Sequence, residues 1–207
     1  MAKTFQERSI VDFRDKMTGG GARSNLFEVN IAYPGFLGDE DVTLNGEFLI
    51  KAAEIPASNL GNIPVPFRGR VLPVAGDRTF DPWTITVIND TDFSIRDKME
   101  QWSHAINDIQ TSQGSVNPED YQSIATVQQL GRSGAHGGEI PILRTYTFVG
   151  IYPNAVSSIP LDYGATDQIE EFQVTFNYLY YEIRGGKDGT NTKIADKSET
   201  SQFLGGT

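Results

Sequence analysis

The chain has 207 residues and a formal net charge of −10, from 27 acidic and 17 basic side chains. That length fits one domain with room for arms. The acidity argues against a protein that grips nucleic-acid phosphates, or an anionic membrane surface, through surplus Lys and Arg. Cysteine is absent, which excludes disulfides, thiolate catalysis and Cys-ligated zinc.

Hydrophobic residues make up 38% of the chain and aromatics 11%, so a core can form around large side chains. No stretch approaches the roughly 20 apolar residues of a spanning helix. The opening residues MAKTFQERSI contain no apolar signal core. The expectation is a soluble chain made in the cytoplasm, with no membrane anchor. Both ends, residues 1–25 and 184–207, carry a small excess of basic side chains, so the acidic excess falls on residues 26–183. The ends are also polar and Gly-rich. They read either as disordered termini or as arms that order against the acidic body of a neighbouring copy. The division is therefore an N-terminal arm over 1–23, a domain over 24–183 and a C-terminal arm over 184–207.

In chain order, Phe27, Val29, Ile31 and Tyr33 alternate with Glu28 and Asn30, which predicts a half-buried strand over Leu26–Tyr33. Asn45-Gly46 marks a turn before a second strand over Phe48–Ala53. Residues 54–68 hold Pro56, Pro64 and Pro66 and read as an irregular loop exposing Ile55, Leu60, Ile63, Val65 and Phe67. Those side chains either fold back on their own domain or dock on a partner. Val71–Ala75 and Phe80–Asn89 read as strands joined by a Gly76-Asp77-Arg78-Thr79 hairpin. Asn89 to Asp92 offer helix caps, and Ile95, Met99, Trp102 and Ile106 form one apolar stripe on a helix of about 16 residues. Tyr121–Leu130 and Ile142–Ile151 are further strands, the second closed by Tyr152-Pro153-Asn154. Between them lies a mobile Gly-rich loop, Gly131–Gly138. In the last element Phe172, Val174, Phe176, Tyr178 and Tyr180 share one face, and Glu171, Gln173, Thr175 and Asn177 the other. The expected fold is α+β and mainly β: an antiparallel, sandwich-like or barrel-like domain of six or seven strands with one packed helix.

Catalytic patterns are weak. The two histidines, His104 and His136, lack the paired spacing of a metal site. The loop GRSGAHGG lacks the Lys-Ser/Thr ending of a phosphate loop, and no nucleophile elbow occurs. Asp77, Arg78 and Asp81 cluster, and read as an Asp–Arg pair pinning a hairpin before an acid/base site. The expectation is no catalytic, cofactor or metal residue.

The run Val74-Ala75-Gly76-Asp77-Arg78-Thr79-Phe80-Asp81-Pro82-Trp83-Thr84-Ile85-Thr86-Val87-Ile88-Asn89-Asp90 closely resembles the signature of the tail tube proteins of contractile-tailed bacteriophages. Ser24-Asn25-Leu26-Phe27-Glu28-Val29, Gly150-Ile151-Tyr152-Pro153 and Ile169-Glu170-Glu171-Phe172-Gln173-Val174-Thr175 resemble further family segments, in the family's order. The resemblance spans residues 24–182. Residues 34–46 exceed the family's usual first hairpin, and the chain beyond Tyr181 is an extension.

The resemblance implies a structural subunit rather than an enzyme. Such subunits form hexameric rings whose strands join one barrel, and the rings stack into a hollow tube inside a sheath, for genome delivery through the host envelope. The implied partners are further copies of the chain, the tail sheath, a baseplate tube-initiator and a tail terminator, with DNA passing unbound; the implied place is the virion tail, assembled in the host cytoplasm. Gly76, Asp77, Arg78, Thr79, Phe80, Asp81, Trp83, Asn89 and Asp90 are then structural. An acidic lumen would repel DNA, with Glu28, Asn30, Glu171, Gln173, Thr175 and Asn177 as candidate lining or as ordinary solvent-facing surface. Candidates for ring-to-ring contact are Ile55, Leu60, Ile63, Val65 and Phe67, with Arg8, Arg14, Lys187 and Lys193 in the arms. A baseplate initiator or the tube of a phage-derived injection device shares the expected fold. A carbohydrate-binding or hydrolytic β-domain is the alternative of another class.

Overall fold

The computed structural model describes residues 10–17, 21–38, 49–132 and 140–185. Arg8, His136, Lys187 and Lys193, the Asn45-Gly46 turn, and most of the 34–46 insertion and the C-terminal arm lie outside these residues. Nine strands are described: β1 Phe27–Ile31, β2 Ile50–Ala53, β3 Asn59–Phe67, β4 Arg70–Thr79, β5 Trp83–Ile88, β6 Ser123–Leu130, β7 Ile142–Val156, β8 Glu171–Asn177 and β9 Tyr180–Arg184. Three α-helices and a 3-10 turn at Gly35–Leu37 are described with them: α1 Ile10–Lys16, α2 Ser94–Ile106 and α3 Pro118–Tyr121.

Every strand pairing is antiparallel. The main sheet runs β1-β6-β7-β8-β5-β2, with β9 also on β7. The fold class is as the residue pattern implies, mainly antiparallel β, with one substantial helix among the described residues. β7 links two groups of strands. Its first half pairs with β6 and β9, and its second half with β8. The change of partner falls at Gly150, whose φ of +69° is open to glycine and costly for other residues. The sequence reading closed this strand at Tyr152-Pro153-Asn154; instead the chain continues to Val156, because Pro153 sits where β7 is already changing partners.

The core lies between the two groups. Val29, Ile31, Ala125, Val127, Tyr146, Phe148 and Ile151 face it from one side, and Trp83, Ile85, Val87, Phe172, Val174 and Phe176 from the other. Trp83 stacks on Phe148 with ring centroids 4.4 Å apart, and its indole N–H donates to the Glu54 carbonyl at 2.8 Å. The apolar stripe of α2 buries Ile95, Met99 and Trp102, and the Trp102 indole donates to the Tyr121 carbonyl at 2.7 Å. The helix stops at Ile106, three or so residues short of the expected length. The closing strand also differs. The period of two persists through Phe176, but the chain turns at 178–179 and returns as β9.

Candidate assembly surfaces

The largest departure from the sequence reading is the hairpin β3–β4. Residues 59–67 are a strand, where the prolines suggested a loop, and the turn lies at Arg68-Gly69 rather than at 76–79. Gly76, Asp77, Arg78 and Thr79 are therefore the inner end of β4. Proline survives in this ladder because Pro64 faces Pro73 and Pro66 faces Val71. These pairs alternate with Ile63–Val74, Val65–Leu72 and Phe67–Arg70. With Phe67 and Arg70 closing the turn, the proline nitrogens point outward, where no ladder hydrogen bond is needed.

The same register gathers Ile63, Val65 and Phe67 with Leu72 and Val74 on one face of the ribbon. All five are exposed, Phe67 at 66%. Each of these two strands packs mainly on the other, so the ribbon projects from the domain. Leu60 is also exposed but lies beyond the bulge at Gly61, and Ile55 is exposed in the segment leading into β3. The sequence reading missed Leu72 and Val74 as part of this surface. Their pairing with Ile63 and Val65 was the signal, hidden because Arg-Gly is not a common hairpin dipeptide.

The signature residues hold this ribbon to the domain. Neighbouring strand residues point to opposite faces, and among the described residues Asp77 and Arg78 form no ion pair. This corrects the expected Asp–Arg pin. Arg78 Nη1 instead donates to Ser58 Oγ at 2.6 Å, and Asn59 Nδ2 donates to Asp81 Oδ2 at 2.6 Å. Phe80 packs against Tyr178 and Tyr181 at 5.7 and 5.8 Å. Asn89 bonds twice to Glu170, through its amide side chain at 3.0 Å and its backbone N–H at 2.9 Å. Asp90 accepts the Ser94 N–H at 2.9 Å and the Ser94 hydroxyl at 2.6 Å, capping α2.

The lumen candidates separate into two sets. Glu28 and Asn30 lie on β1 opposite Gln128 and Thr126 of β6, and Thr126 in turn faces Thr147 of β7. Glu171, Gln173, Thr175 and Asn177 lie on β8, with Thr84 and Thr86 of β5 beside them. Each set faces away from the core, but on opposite strand groups. Glu171 pairs with Lys51 at 2.6 Å on the second face and Arg184 with Glu182 at 3.3 Å on the first, and both faces also carry threonines and side-chain amides. Arg14 is exposed on α1 beside Asp15.

The remaining titratable groups are ordinary surface or core features. His104 sits 3.5 Å from Asp108, whose carboxyl is held low by the backbone N–H groups of Thr111 and Gln110. Burial pushes the Tyr33 and Tyr178 hydroxyls up. Among the described residues no group of three or more His, Asp or Glu side chains could hold a metal ion, and no helix is long and apolar enough to cross a membrane.

The described residues thus form an antiparallel β core carrying a projecting, apolar-faced ribbon. The comparisons place it. The phage tail tube protein family matches residues 22–184, and the chain belongs to that family. The tail tube protein gp19 of Enterobacteria phage T4 is 34% identical over 169 residues, covering 80% of this chain and 93% of its own. The tail tube protein of Serratia phage KSP90 is 30% identical over 173 residues, covering 83% and 94%. The fold recurs in a chain of the anti-feeding prophage baseplate, at a TM-score of 0.57 and 14% identity, covering 81% of this chain and 97% of that one. It recurs again in the sheath–tube complex of an extracellular contractile injection system, at 0.52 and 12%, covering 84% and 97%. The chain is thus a structural component of a phage tail tube.

Proposed function

We propose that the chain forms hexameric rings that stack into a hollow tube, through which DNA passes unbound during ejection. The observation carrying this is the exposed apolar face of the β3–β4 ribbon, on a chain of the tail tube family. A monomer leaving such a face in water would be prone to association. Ring closure would also remove open sheet edges. Among the described residues β1 and β9 end their group of strands with no further strand beside them. In the other group α2 lies against the second half of β7, where Arg96 donates to the Ser157 carbonyl at 3.1 Å. The group β1-β6-β7-β9 is therefore the better lumen wall, with Glu28 and Asn30 inward and Glu171, Gln173, Thr175 and Asn177 outward. On that face Glu28 stands with Thr and Gln residues, and the cation Arg184, in register with Thr145, is paired with Glu182 at 3.3 Å, which weakens it as a trap for phosphate.

The tail sheath, a baseplate initiator and a terminator are the proposed partners outside the tube's own copies, and the host cytoplasm is the proposed place of assembly. The domain over 24–183, the Ile55 and Leu60 contacts, and the part of Arg14 and the arms in joining rings belong to this reading. Electron microscopy of the purified protein tests it. Hollow tubes with sixfold end views that lengthen with concentration are expected. A lone capped ring would favour an initiator, and a monomer under all conditions would overturn the reading. For the lumen, Glu28→Cys and Gln173→Cys in assembled tubes are challenged with a thiol reagent on a particle wider than the bore. Gln173→Cys should label and Glu28→Cys should not; the reverse would exchange the two faces.

A further inference from the structure

The turn of the projecting ribbon is unusual in what it holds. Arg68 and Gly69 have φ of +47° and +80°, a two-residue turn with both residues left-handed. Asn or Gly normally fills the first position, and a long side chain there costs about 1 kcal/mol or more. Arg68 nevertheless stands there with its guanidinium 5.3 Å from the centre of the Phe67 ring, and Arg70 follows across the turn. The tip is thus an apolar end flanked by two cations. Over residues 59–79 there are three arginines against one aspartate, on a domain that is otherwise acidic.

A surface of the opposite kind lies on the loop between β7 and β8. Residues 157–170 contain no basic side chain, and carry Asp162, Asp167 and Glu170. The loop encloses a depression of about 770 Å³ lined by Ile159, Leu161, Tyr163 and Ile169 among others. Leu161 is 82% exposed, Ile169 72%, and Tyr163 fully so. Among the described residues these side chains stay largely exposed, and at the ribbon tip so do Phe67, Val71 and Leu72.

We propose that the β3–β4 tip of one copy docks into the β7–β8 loop depression of a neighbouring copy. The proposal rests on the tube reading and specifies one of its contacts. Apolar side chains meet apolar side chains at the centre, and Arg68 and Arg70 meet Asp162 and Asp167 at the rim, the arrangement of a desolvated contact with a charged margin. The outward prolines work against the other mode of joining. Pro64, Pro66 and Pro73 leave the ribbon edges without donors at those positions, which weakens any extension of the ribbon as a sheet and favours its receipt through side chains. Because donor and receiver are different surfaces, the contact is head-to-tail and propagates from copy to copy.

The cysteine-free chain makes the test clean. Leu72→Cys and Leu161→Cys are prepared separately, mixed, allowed to assemble and oxidised, with wild-type protein assembled alongside. A covalent dimer on a non-reducing gel from the mixture, and from neither variant alone, is the expected result. Tubes that form without a mixed dimer would overturn the docking and leave the tube reading standing. A dimer from Leu72→Cys alone would place two ribbons together and also overturn it. If wild-type protein makes neither tubes nor rings, and no dimer appears, both readings fall. Arg70→Cys with Tyr163→Cys is a second pair, decisive in the same way should the first disturb assembly.

Discussion

Gly61 and Gly76 face one another across the base of the β3–β4 ribbon. A Cβ on Gly76 would lie 3.2 Å from the Gly61 carbonyl carbon and 3.2 Å from Ile63 Cγ1, and one on Gly61 would lie 3.2 Å from the Asp77 oxygen. The register shifts here, between Leu60 and Asn62. Two backbones approach where a bulge redirects the ribbon, which is a use of glycine that sequence patterns mark only as a turn.

Gly76→Val should therefore misplace the ribbon while leaving the domain folded. The strain, on the order of 1–3 kcal/mol, falls on an element that packs mainly on itself. At about 2–4 °C per kcal/mol, thermal unfolding of the domain should shift by less than the roughly 2–12 °C that full transmission of this strain would give. Tube or ring formation, followed by sedimentation, should fall sharply. A variant that assembles normally would show that the ribbon's angle is immaterial.

Gly150 carries a different load. A Cβ there would stand 2.7 Å from Leu179 Cδ1 and 3.1 Å from Gln122 Oε1, with φ at +69°. The bend moves β7 from one group of strands to the other, and so both halves of the core depend on it. Gly150→Ala should lower stability by roughly 1–3 kcal/mol. In thermal unfolding that is a drop of roughly 2–12 °C, with assembly weakened in step.

These two glycines also mark where sequence reasoning stopped. Alternation located β1, β6 and β8, because their inward residues Val29, Val127 and Phe172 to Phe176 are buried against outward polar ones. The spacing of Ile95, Met99 and Trp102 located α2 for the same reason. Burial on one face leaves a period in the sequence. The β3–β4 ribbon has no buried face within the chain, so Pro64 and Pro66 outweighed the pattern of Ile63, Val65 and Phe67. The signature run was recognisable by resemblance, but the roles within it were not. Asp77-Arg78 read as a turn pair, whereas the contacts of Arg78 and Asp81 are with Ser58 and Asn59, some twenty residues earlier. The β7–β8 loop carried no periodic signal, and its depression exists only once β8 has paired with β5 and β7.

Asp90 closes the signature run with a local role. Its carboxylate accepts both the backbone N–H and the hydroxyl of Ser94 at the start of α2. Asp90→Ala removes an acceptor for donors the helix cannot satisfy itself, at a cost of about 1 kcal/mol. Thermal unfolding should fall by about 2–4 °C, while Asp90→Asn should keep most of the stability. An unchanged midpoint for Asp90→Ala would assign the capping to another group, with Asp92 next in line.

Tyr33 gives the molecule an alkaline limit. Its ring meets Trp102 edge-on at 6.0 Å, and burial pushes its hydroxyl well above the ordinary value of 10.0. The folded state therefore holds this proton where the unfolded chain releases it. That contribution is fully present below about pH 10, and is lost as pH rises beyond it. Above that point stability should decline by up to about 1.4 kcal/mol per pH unit from this group alone. Tyr33→Phe keeps the ring and removes the proton. Urea midpoints of the two proteins should run parallel from about pH 7 to pH 9 and then diverge, the wild type falling faster. Tyr178, raised chiefly by burial and then by Tyr181 and Asp81, titrates in both proteins and cancels from the comparison. Parallel curves through pH 11 or so would mean that Tyr33 gains access to water without unfolding.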